Sequence, residues 1–312
     1  MISVAVLTYR RAWSLPYCLD SLRKQTRSPD EVIVVLKPSG DGSEEIIENF
    51  SKTLNIRLFI QRAGNFTDAL SMAINLSKGD LILFLDDDAI ADERWIERYV
   101  KLFERMPDAG GITGIVYTAY KIGDRIVRTK RNFYELKPTG LRFHRQPLDI
   151  FQGYAEFISS SGLPGRLSTS GAVIRSALLG GVNMAWRREA VSGNDLSEAF
   201  RESRIGHVNE CYLACYARLR GYHTYRVTDP KLAPIAWHIW HPSSLQRNLS
   251  YSEFWRSYDI AYFYWRLKRL GVNVSLIRYL FGLATLARKK THLRIPALTY
   301  GFIKGLVYYK MA

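Results

Sequence analysis

The N-terminal third of the chain alternates between two hydrophobic patterns. Short apolar runs that suit strands are each followed by a segment whose apolar residues recur three to four positions apart, which suits a helix. Ser14 and Asn65 are residue types that commonly begin helices, and each precedes such a segment. The pattern predicts strands at 2–8, 32–36, 56–61 and 81–85, and helices near 14–25, 43–53, 66–77 and 92–106.

This alternation is typical of a mostly parallel sheet covered by helices. The strand at 81–85 is apolar at every position, as expected when both faces of a strand are buried. After residue 110 the alternation is interrupted. We predict strands at 112–118, 171–175, 183–186 and 223–227, a hairpin and loop within 119–150, and a helix from about 208 to 220.

The C-terminal residues from 250 onward have a helical and basic pattern. A first helix places four aromatic residues on one face and its cations elsewhere, and a second helix is predicted at 274–290. The aromatic residues are Phe254, Tyr258, Tyr262 and Trp265, and the cations are Arg256, Arg266, Lys268 and Arg269. Residues 241–312 hold 12 Lys and Arg against Glu253 and Asp259. We interpret 241–312 as an extension lying on an anionic membrane surface; the alternative is an ordinary helix packed on the catalytic domain.

Composition restricts the classes of protein further. A chain of 312 residues with 47% hydrophobic content can bury a large core, and its net charge of +15 points to an anionic partner, either membrane lipid or nucleic acid. Cys18, Cys211 and Cys215 give no disulfide framework, which favours a reducing compartment. The chain opens on a strand, and no apolar run is long enough to span a bilayer. We therefore expect a cytoplasmic protein, peripheral on the inner face of the cell membrane.

Three carboxylates, Asp86, Asp87 and Asp88, follow the strand at 81–85 directly. Open α/β sheets bind ligands at the carboxyl ends of their strands. Adjacent carboxylates repel one another, and a hard divalent ion such as Mg²⁺ or Mn²⁺, shared with substrate phosphates, would offset this. The alternative is a solvated acidic turn before a helix that Asp92 could cap.

Polar residues also follow the other predicted parallel strands, and the ends of these strands converge on the same rim. A nucleobase could stack near Tyr9, while Arg10 and Arg11 could attract phosphate or be plain surface charges. The candidate donor-binding residues are Thr8, Tyr9, Arg10, Asp41, Asp68, Asp86 and Asp87.

Later segments add three further candidates. In 180–189, two glycines permit close backbone approach and Trp186 offers a flat apolar plate, although a hairpin turn with a core tryptophan fits equally. Glu210 lies at the start of a helix. There, a carboxylate either only interacts favourably with the helix dipole or acts as a catalytic base. His238, rather than His241, is a candidate metal ligand; the alternative is a pair of aromatic-packed loop histidines.

In this order, the motifs resemble those of the family 2 glycosyltransferases. The resemblance covers residues 1–240. It rests on the Leu7-Thr8-Tyr9-Arg10-Arg11 turn, the order Gly64, Ala69, Gly79 and Asp86-Asp87-Asp88, the glycine pair and following residues at 180–189, and Asn209-Glu210 before a helix that ends at Gly221-Tyr222.

The resemblance implies a GT-A fold in 1–240, with a nucleotide-sugar-binding half at 1–118 and an acceptor half at 119–240. It further implies that Asp86 and Asp88 flank a metal and the donor, with His238 as a third metal candidate. Glu210 aligns with the catalytic base. The implied acceptor-side residues are Asn183, Trp186 and Arg187, and the implied nucleobase pocket includes Thr8 and Tyr9.

The implied activity is a metal-dependent, inverting transfer of a sugar from a nucleotide-diphosphate donor to a glycan or lipid-linked acceptor. Leu36-Lys37 replace an acidic residue that the family usually has, and Leu70-Ser71 replace Arg-Asn. These departures leave a non-catalytic nucleotide-sugar-binding relative as an alternative. A basic nucleic-acid-binding protein is disfavoured, because the ordered carboxylates would repel phosphates unless metal is present.

Overall fold

The computed structural model describes residues 1–134, 146–168, 170–241, 249–288 and 291–310. In chain order the strands are β1 Ile2–Thr8, β2 Glu31–Leu36, β3 Ile56–Ile60, β4 Leu81–Leu85, β5 Ala89–Ala91, β6 Ala109–Thr113, β7 Ile115–Ile122, β8 Arg125–Asn132, β9 Glu156–Ile158, β10 Pro164–Arg166, β11 Val173–Arg175, β12 Asn183–Arg187, β13 His223–Val227 and β14 Ile235–Trp240. The helices are α1 Leu15–Arg23, α2 Ser43–Ser51, α3 Phe66–Leu76, α4 Trp95–Arg105, α5 Arg188–Val191, α6 Leu196–Ala199, α7 Asn209–Leu219, α8 Leu249–Arg269, α9 Leu276–Ala287 and α10 Thr291–Lys310.

The central sheet has the strand order β11-β13-β6-β12-β4-β1-β2-β3. Strands β1 to β4 are parallel, and β13 runs parallel to β6, whereas β12 is antiparallel to both β4 and β6. The predicted mostly parallel sheet is therefore confirmed. Because β12 runs antiparallel, its first residue, Asn183, lies opposite Leu85 at the carboxyl end of β4, and its last, Arg187, lies opposite Leu81.

Alternate residues of the parallel strands supply two separate cores. Ala5, Ile33 and Phe84 point to one face, where α3, α7 and the C-terminal helices pack. Val4 and Val34 point to the other face, where α1, α2 and α4 pack. This period of two is expected for strands buried on both faces, and it explains why their sequences are apolar throughout.

A smaller sheet has the order β5-β14-β7-β8, and its strands alternate along the chain with those of the central sheet. The prediction of a single strand at 112–118 is wrong, because the chain passes at Gly114 from β6 in the central sheet to β7 in this one. A Cβ at Gly114 would lie 2.0 Å from the Pro234 carbonyl oxygen, so only glycine fits the crossing. The helix predicted at 92–106 begins later, at Trp95, because a turn follows strand β5, closed by the hydrogen bond from the Trp95 N–H to the Asp92 carbonyl oxygen (2.9 Å).

The C-terminal helices pack against the core of the central sheet. Tyr258, Tyr262 and Trp265 of α8 are buried, as the aromatic face predicted. Arg266 is the exception to the predicted arrangement: it is fully buried and forms an ion pair with Asp259. Gly301 of α10 lies against the Tyr258 backbone, which lets the two helices approach closely. Within the described residues, no helix is both long enough and apolar enough to cross a membrane.

Candidate active site

The three aspartates lie where β4 ends, beside the loop that precedes β12. The Asp86 N–H donates to the Val182 carbonyl oxygen (3.3 Å), which fixes the turn against that loop. Asp87 and Asp88 are buried, with 8% and 4% of their surface exposed. Burial, reinforced by the charge of Asp88, raises the pKa of Asp87 well above its usual range. We refer to residues 86–88 as the acid corner.

Arg11 reaches into the acid corner. Its Nε lies 3.5 Å from Asp87 Oδ1 and 3.4 Å from Asp88 Oδ2. The preceding residue, Arg10, adopts the left-handed backbone region with a φ of 57°, and it remains exposed beside the Tyr9 ring. Two adjacent arginines therefore occupy different surroundings: Arg11 partly neutralises the acids, and Arg10 stands at the rim.

His238 meets the acid corner from the second sheet. In β14 it pairs with Ala89, and its Nε2 lies 3.3 Å from Asp88 Oδ1. Phe133 stacks on its ring at 4.2 Å between centroids. Burial lowers the pKa of His238, so the imidazole is neutral at pH 7 and retains a lone pair for a metal.

The acid corner fits a divalent ion that shares its coordination with a substrate. Adjacent ligands of an octahedral Mg²⁺ or Mn²⁺ lie about 3 Å apart, which matches the separation of Asp88 Oδ1 and His238 Nε2. Within the described part of the chain, no three His, Cys, Asp or Glu side chains form a complete metal cluster. Mg²⁺ commonly takes one or two protein ligands and completes its shell with water and phosphate oxygens.

Buried polar atoms without partners gather at this corner. In the described residues they include Arg11 Nε, Trp13 Nε1 and His238 Nδ1, which have no hydrogen-bond partner. An unsatisfied buried polar atom costs about 1–3 kcal/mol. Their concentration around the carboxylates indicates a surface that is completed by a polar ligand.

Glu210 lies on the other side of the glycine pair. It sits in the first turn of α7, after Val208, which adopts a φ of 65°. A Cβ on Gly181 would lie 2.6 Å from Glu210 Oε1, so the absence of a side chain at Gly181 leaves room for the carboxylate. Burial raises the pKa of Glu210 to about 7. A carboxylate with this pKa is well matched to accept a proton near neutral pH.

Tyr134 joins the two halves of the site, and no motif in the sequence indicated it. Burial, reinforced by the charges of Asp86 and Glu210, raises the pKa of Tyr134, so its phenol stays protonated. Its ring packs against Gly180, where a Cβ would lie 3.0 Å from Tyr134 Cε2. Phe133 and Tyr134 thus place an aromatic wall from His238 to the glycine pair.

The residues predicted to bind a nucleobase lie at and beside the carboxyl end of β1. The ring of Tyr9 is 44% exposed and is flanked by the cations of Arg10 and Lys37. Thr8 is buried beneath it. Asp41 is exposed and accepts a hydrogen bond from the Ala12 N–H (3.0 Å), which ties the loop after β2 to the loop after β1. Tyr9 is therefore free to stack with a planar ligand at the edge of the sheet.

The structure does not support donor contact by Asp68. Asn65 and Asp68 form a capping box at the start of α3, in which Asp68 Oδ2 accepts from the Asn65 N–H (2.7 Å). Asp68 Oδ1 accepts a hydrogen bond from Ser197. Both carboxylate oxygens thus accept hydrogen bonds within the protein, and Asp68 stabilises the start of α3 instead of contributing to the rim.

Of the predicted acceptor-side residues, Trp186 and Arg187 lie away from the site, and Asn183 lies at the rim with its side chain buried in the core. Trp186 is fully buried beneath Gly111, so the alternative interpretation as a core tryptophan is correct. Asn183 is also fully buried, and its amide accepts from Trp95 and Tyr99. Arg187 pairs with Leu81 at the opposite end of β4. In this segment it is the glycine pair that reaches the site, because the strand runs away from the rim after residue 183.

The sequence model of the family described as Glycosyl transferase family 2 matches residues 3–159. The chain belongs to this family. Among curated relatives, a glucosyl-dolichyl phosphate glucuronosyltransferase of Haloferax volcanii is 28% identical over 118 residues, which are 37% of this chain and 38% of that protein. The aligned part of this family 2 chain thus spans little more than a third of that relative.

Solved structures give the same fold over a longer range. S. aureus TarS 1–349 in complex with UDP-GlcNAc has a TM-score of 0.57 and 15% identity, covering 99% of this chain and 89% of the other. A mannosyltransferase of Pyrobaculum calidifontis, in complex with GDP-Man and Mn²⁺, has a TM-score of 0.55 and 16% identity, covering 100% of this chain and 75% of the other. The predicted GT-A fold is confirmed for this family 2 chain.

Proposed function

We propose that the protein is a divalent-metal-dependent, inverting glycosyltransferase that moves a sugar from a nucleotide-diphosphate donor to a hydroxyl group. The observation that carries the proposal is the arrangement of Glu210 beside the glycine pair, with the acid corner on the other side of Tyr134. A candidate base and a candidate cation site would then lie on either side of Tyr134 and the glycine pair, the arrangement that a displacement at an anomeric carbon requires.

Glu210 would take the proton from the acceptor hydroxyl as that oxygen attacks the anomeric carbon. Its pKa of about 7 keeps a large fraction ionised at neutral pH and still makes it basic enough to accept the proton. Attack from the side opposite the leaving diphosphate inverts the anomeric configuration. The Tyr134 phenol, which stays protonated, can donate a hydrogen bond to a substrate oxygen in the same space.

Asp88 and His238 would hold the cation, with Asp86 and Asp87 beside the donor. A bound divalent ion would supply charge stabilisation for the leaving nucleotide diphosphate. Tyr9 would stack with the nucleobase, and Arg10 would stand near the phosphates. The Mn²⁺ present with the Pyrobaculum enzyme supports a divalent ion in this fold, and UDP-GlcNAc and GDP-Man in the relatives support a nucleotide-sugar donor.

The test is a transfer assay with a panel of nucleotide sugars. Purified protein is incubated with each donor, with Mn²⁺ or with EDTA, and donor consumption and free nucleoside diphosphate are followed by liquid chromatography. We expect one donor to be consumed only with Mn²⁺, and its turnover to increase when a suitable glycan or lipid-linked acceptor is added. Tight donor binding without consumption under every condition would instead favour the non-catalytic relative.

The acceptor is proposed to be a glycan or a lipid-linked sugar at the inner face of the membrane. Helix α9 also has an exposed apolar strip, which adjoins its buried Tyr279 and Leu283. This exposed strip consists of Leu276, Ile277, Leu280 and Phe281, which are 41%, 82%, 45% and 60% exposed. Together with 12 cations against two acids in 241–312, it favours an anionic bilayer as the partner.

Replacing Ile277 and Phe281 together by serine should lower binding to phosphatidylglycerol vesicles by at least about tenfold, because each removes buried apolar contact with the lipid. Co-sedimentation measures the bound fraction. Ile122→Ser is the matched control, since Ile122 is 65% exposed on the β7–β8 turn. Equal vesicle binding by the double variant and this control would contradict the membrane proposal.

A further inference from the structure

Arg11 lies against the same carboxylates that a cation bound at the acid corner would contact. Its Nε is shared between Asp87 Oδ1 and Asp88 Oδ2, at 3.5 and 3.4 Å, but it makes a hydrogen bond to neither. The side chain is 24% exposed, so the pair is poorly screened by solvent. The contact is therefore electrostatic and lacks the directional bonds that would lock a structural ion pair in place.

A divalent ion on Asp88 and the present position of Arg11 are electrostatically incompatible. Both cations would lie against the same carboxylate, and their repulsion would be strong at a buried site. The Arg11 guanidinium also lies over the Trp13 ring, 6.0 Å from the ring centroid, so the acid corner is not its sole neighbour. A guanidinium is well suited to bind phosphate oxygens through paired N–H groups.

We propose that Arg11 is an exchangeable counter-cation: it neutralises Asp87 and Asp88 when no metal is bound, and it turns to the diphosphate of a nucleotide when a divalent ion occupies Asp88. The inference rests on the proposed function only in taking Asp88 as a cation ligand. It assigns to Arg11 two successive anionic partners, first protein carboxylates and then phosphate.

The partnerless atoms around the corner fit this exchange. Arg11 Nε and Trp13 Nε1 are buried donors without acceptors, and a diphosphate supplies only acceptors. His238 Nε2 now faces Asp88 Oδ1 at 3.3 Å, a separation suited to two ligands of one ion. Arg11, Trp13 and His238 therefore each present a polar atom that a metal–diphosphate unit would bind.

The exchange predicts opposite effects of one substitution on two ligands. Arg11→Met removes the competing charge, so Mn²⁺ alone should bind about tenfold more tightly, as measured by the electron paramagnetic resonance signal of free Mn²⁺. The same variant should bind inorganic pyrophosphate about tenfold more weakly at saturating Mn²⁺, as measured by calorimetry, because the guanidinium–phosphate contact is lost.

Two further variants make the result decisive. Arg27→Met makes the same change at an exposed arginine near the opposite end of β2, and both affinities should stay within about twofold of the parent protein. Arg11→Lys keeps the charge but loses the planar fork, so Mn²⁺ binding should be unchanged while pyrophosphate binding weakens.

The inference is overturned if Arg11→Met shifts both affinities in the same direction or leaves both unchanged. If Arg11→Met fails to fold, Arg11→Lys decides: pyrophosphate binding equal to that of the parent protein would reject the exchange. Neither measurement involves sugar transfer, so their failure is distinguishable from failure of the proposed activity.

Discussion

Replacing Glu210 by glutamine should lower the rate of sugar transfer by about 10²–10⁴-fold, because the amide cannot accept the acceptor's proton. The parent enzyme should show kcat/KM rising with pH through about 7, since burial raises the pKa of Glu210 to about 7 and only the ionised form is a base. Initial rates across pH 5–9 with a saturating donor measure both effects.

The same substitution should stabilise the fold at high pH. The folded-state pKa of Glu210 is raised above the ordinary value of 4.5, so ionising this group costs folding stability as pH rises from about 4.5 to 7. Glutamine removes that cost, and thermal unfolding at pH 8 should show a gain on the order of 3 kcal/mol that vanishes below about pH 4.5.

Glu48→Gln, at an exposed position on α2, should change neither rate nor stability. Parental turnover by Glu210→Gln would remove the residue from its catalytic role. A loss of activity accompanied by lower stability at pH 8 would show structural damage instead.

Replacing Asp259 by asparagine should lower the free energy of unfolding by about 3–5 kcal/mol, because Arg266 would remain buried without its charge partner. Asp259 Oδ2 also accepts from Ser203 Oγ (2.7 Å) and from the His207 N–H (3.0 Å). The loop that leads to Glu210 is thus anchored to α8. Urea unfolding followed by circular dichroism measures the change.

A matched control is the exposed ion pair between Arg269, the last residue of the same helix α8, and Glu198 of α6. Its partners are 3.0 Å apart, but Glu198 is 49% exposed, so Glu198→Gln should cost less than about 1 kcal/mol. A double variant, Asp259→Leu with Arg266→Met, should recover part of the loss, since it leaves no unpaired charge. A cost below about 1 kcal/mol for Asp259→Asn would mean that water reaches Arg266.

Apart from the short strand β5, the strands and helices up to residue 105 follow from the sequence, because each signal there is local. The apolar runs of β1, β2 and β4 and the Asn65 cap of α3 depend on neighbours a few positions away. The break at Gly114 could not be predicted this way, because the Pro234 carbonyl that requires glycine is distant in the chain. The burial of Arg266 is likewise set by its contact with Asp259 and by the Ala199 carbonyl that accepts from it.

Whether a site residue could be predicted depends on the same difference between local and distant signals. The acid corner and Glu210 stand at strand and helix ends, where position in the sequence indicates the rim. Trp186 was misplaced because an antiparallel strand carries residues away from the rim, and its direction cannot be read from the strand itself. Arg11 and Arg10 are both cationic and adjacent, and only the left-handed backbone at Arg10 separates their roles.

The anchoring of the 199–207 loop by α8 has a consequence for recombination among family members. Arg266 donates to the Ala199 carbonyl oxygen (2.7 Å), and Asn65 donates from the other side to the carbonyls of Phe200 and Ser203. Chimeras that graft a foreign C-terminal segment onto this chain should therefore fail unless the loop is exchanged with it. Crossover points that preserve function are therefore expected where they do not separate the 199–207 loop from the C-terminal helices. The loop and these helices would have to be exchanged together.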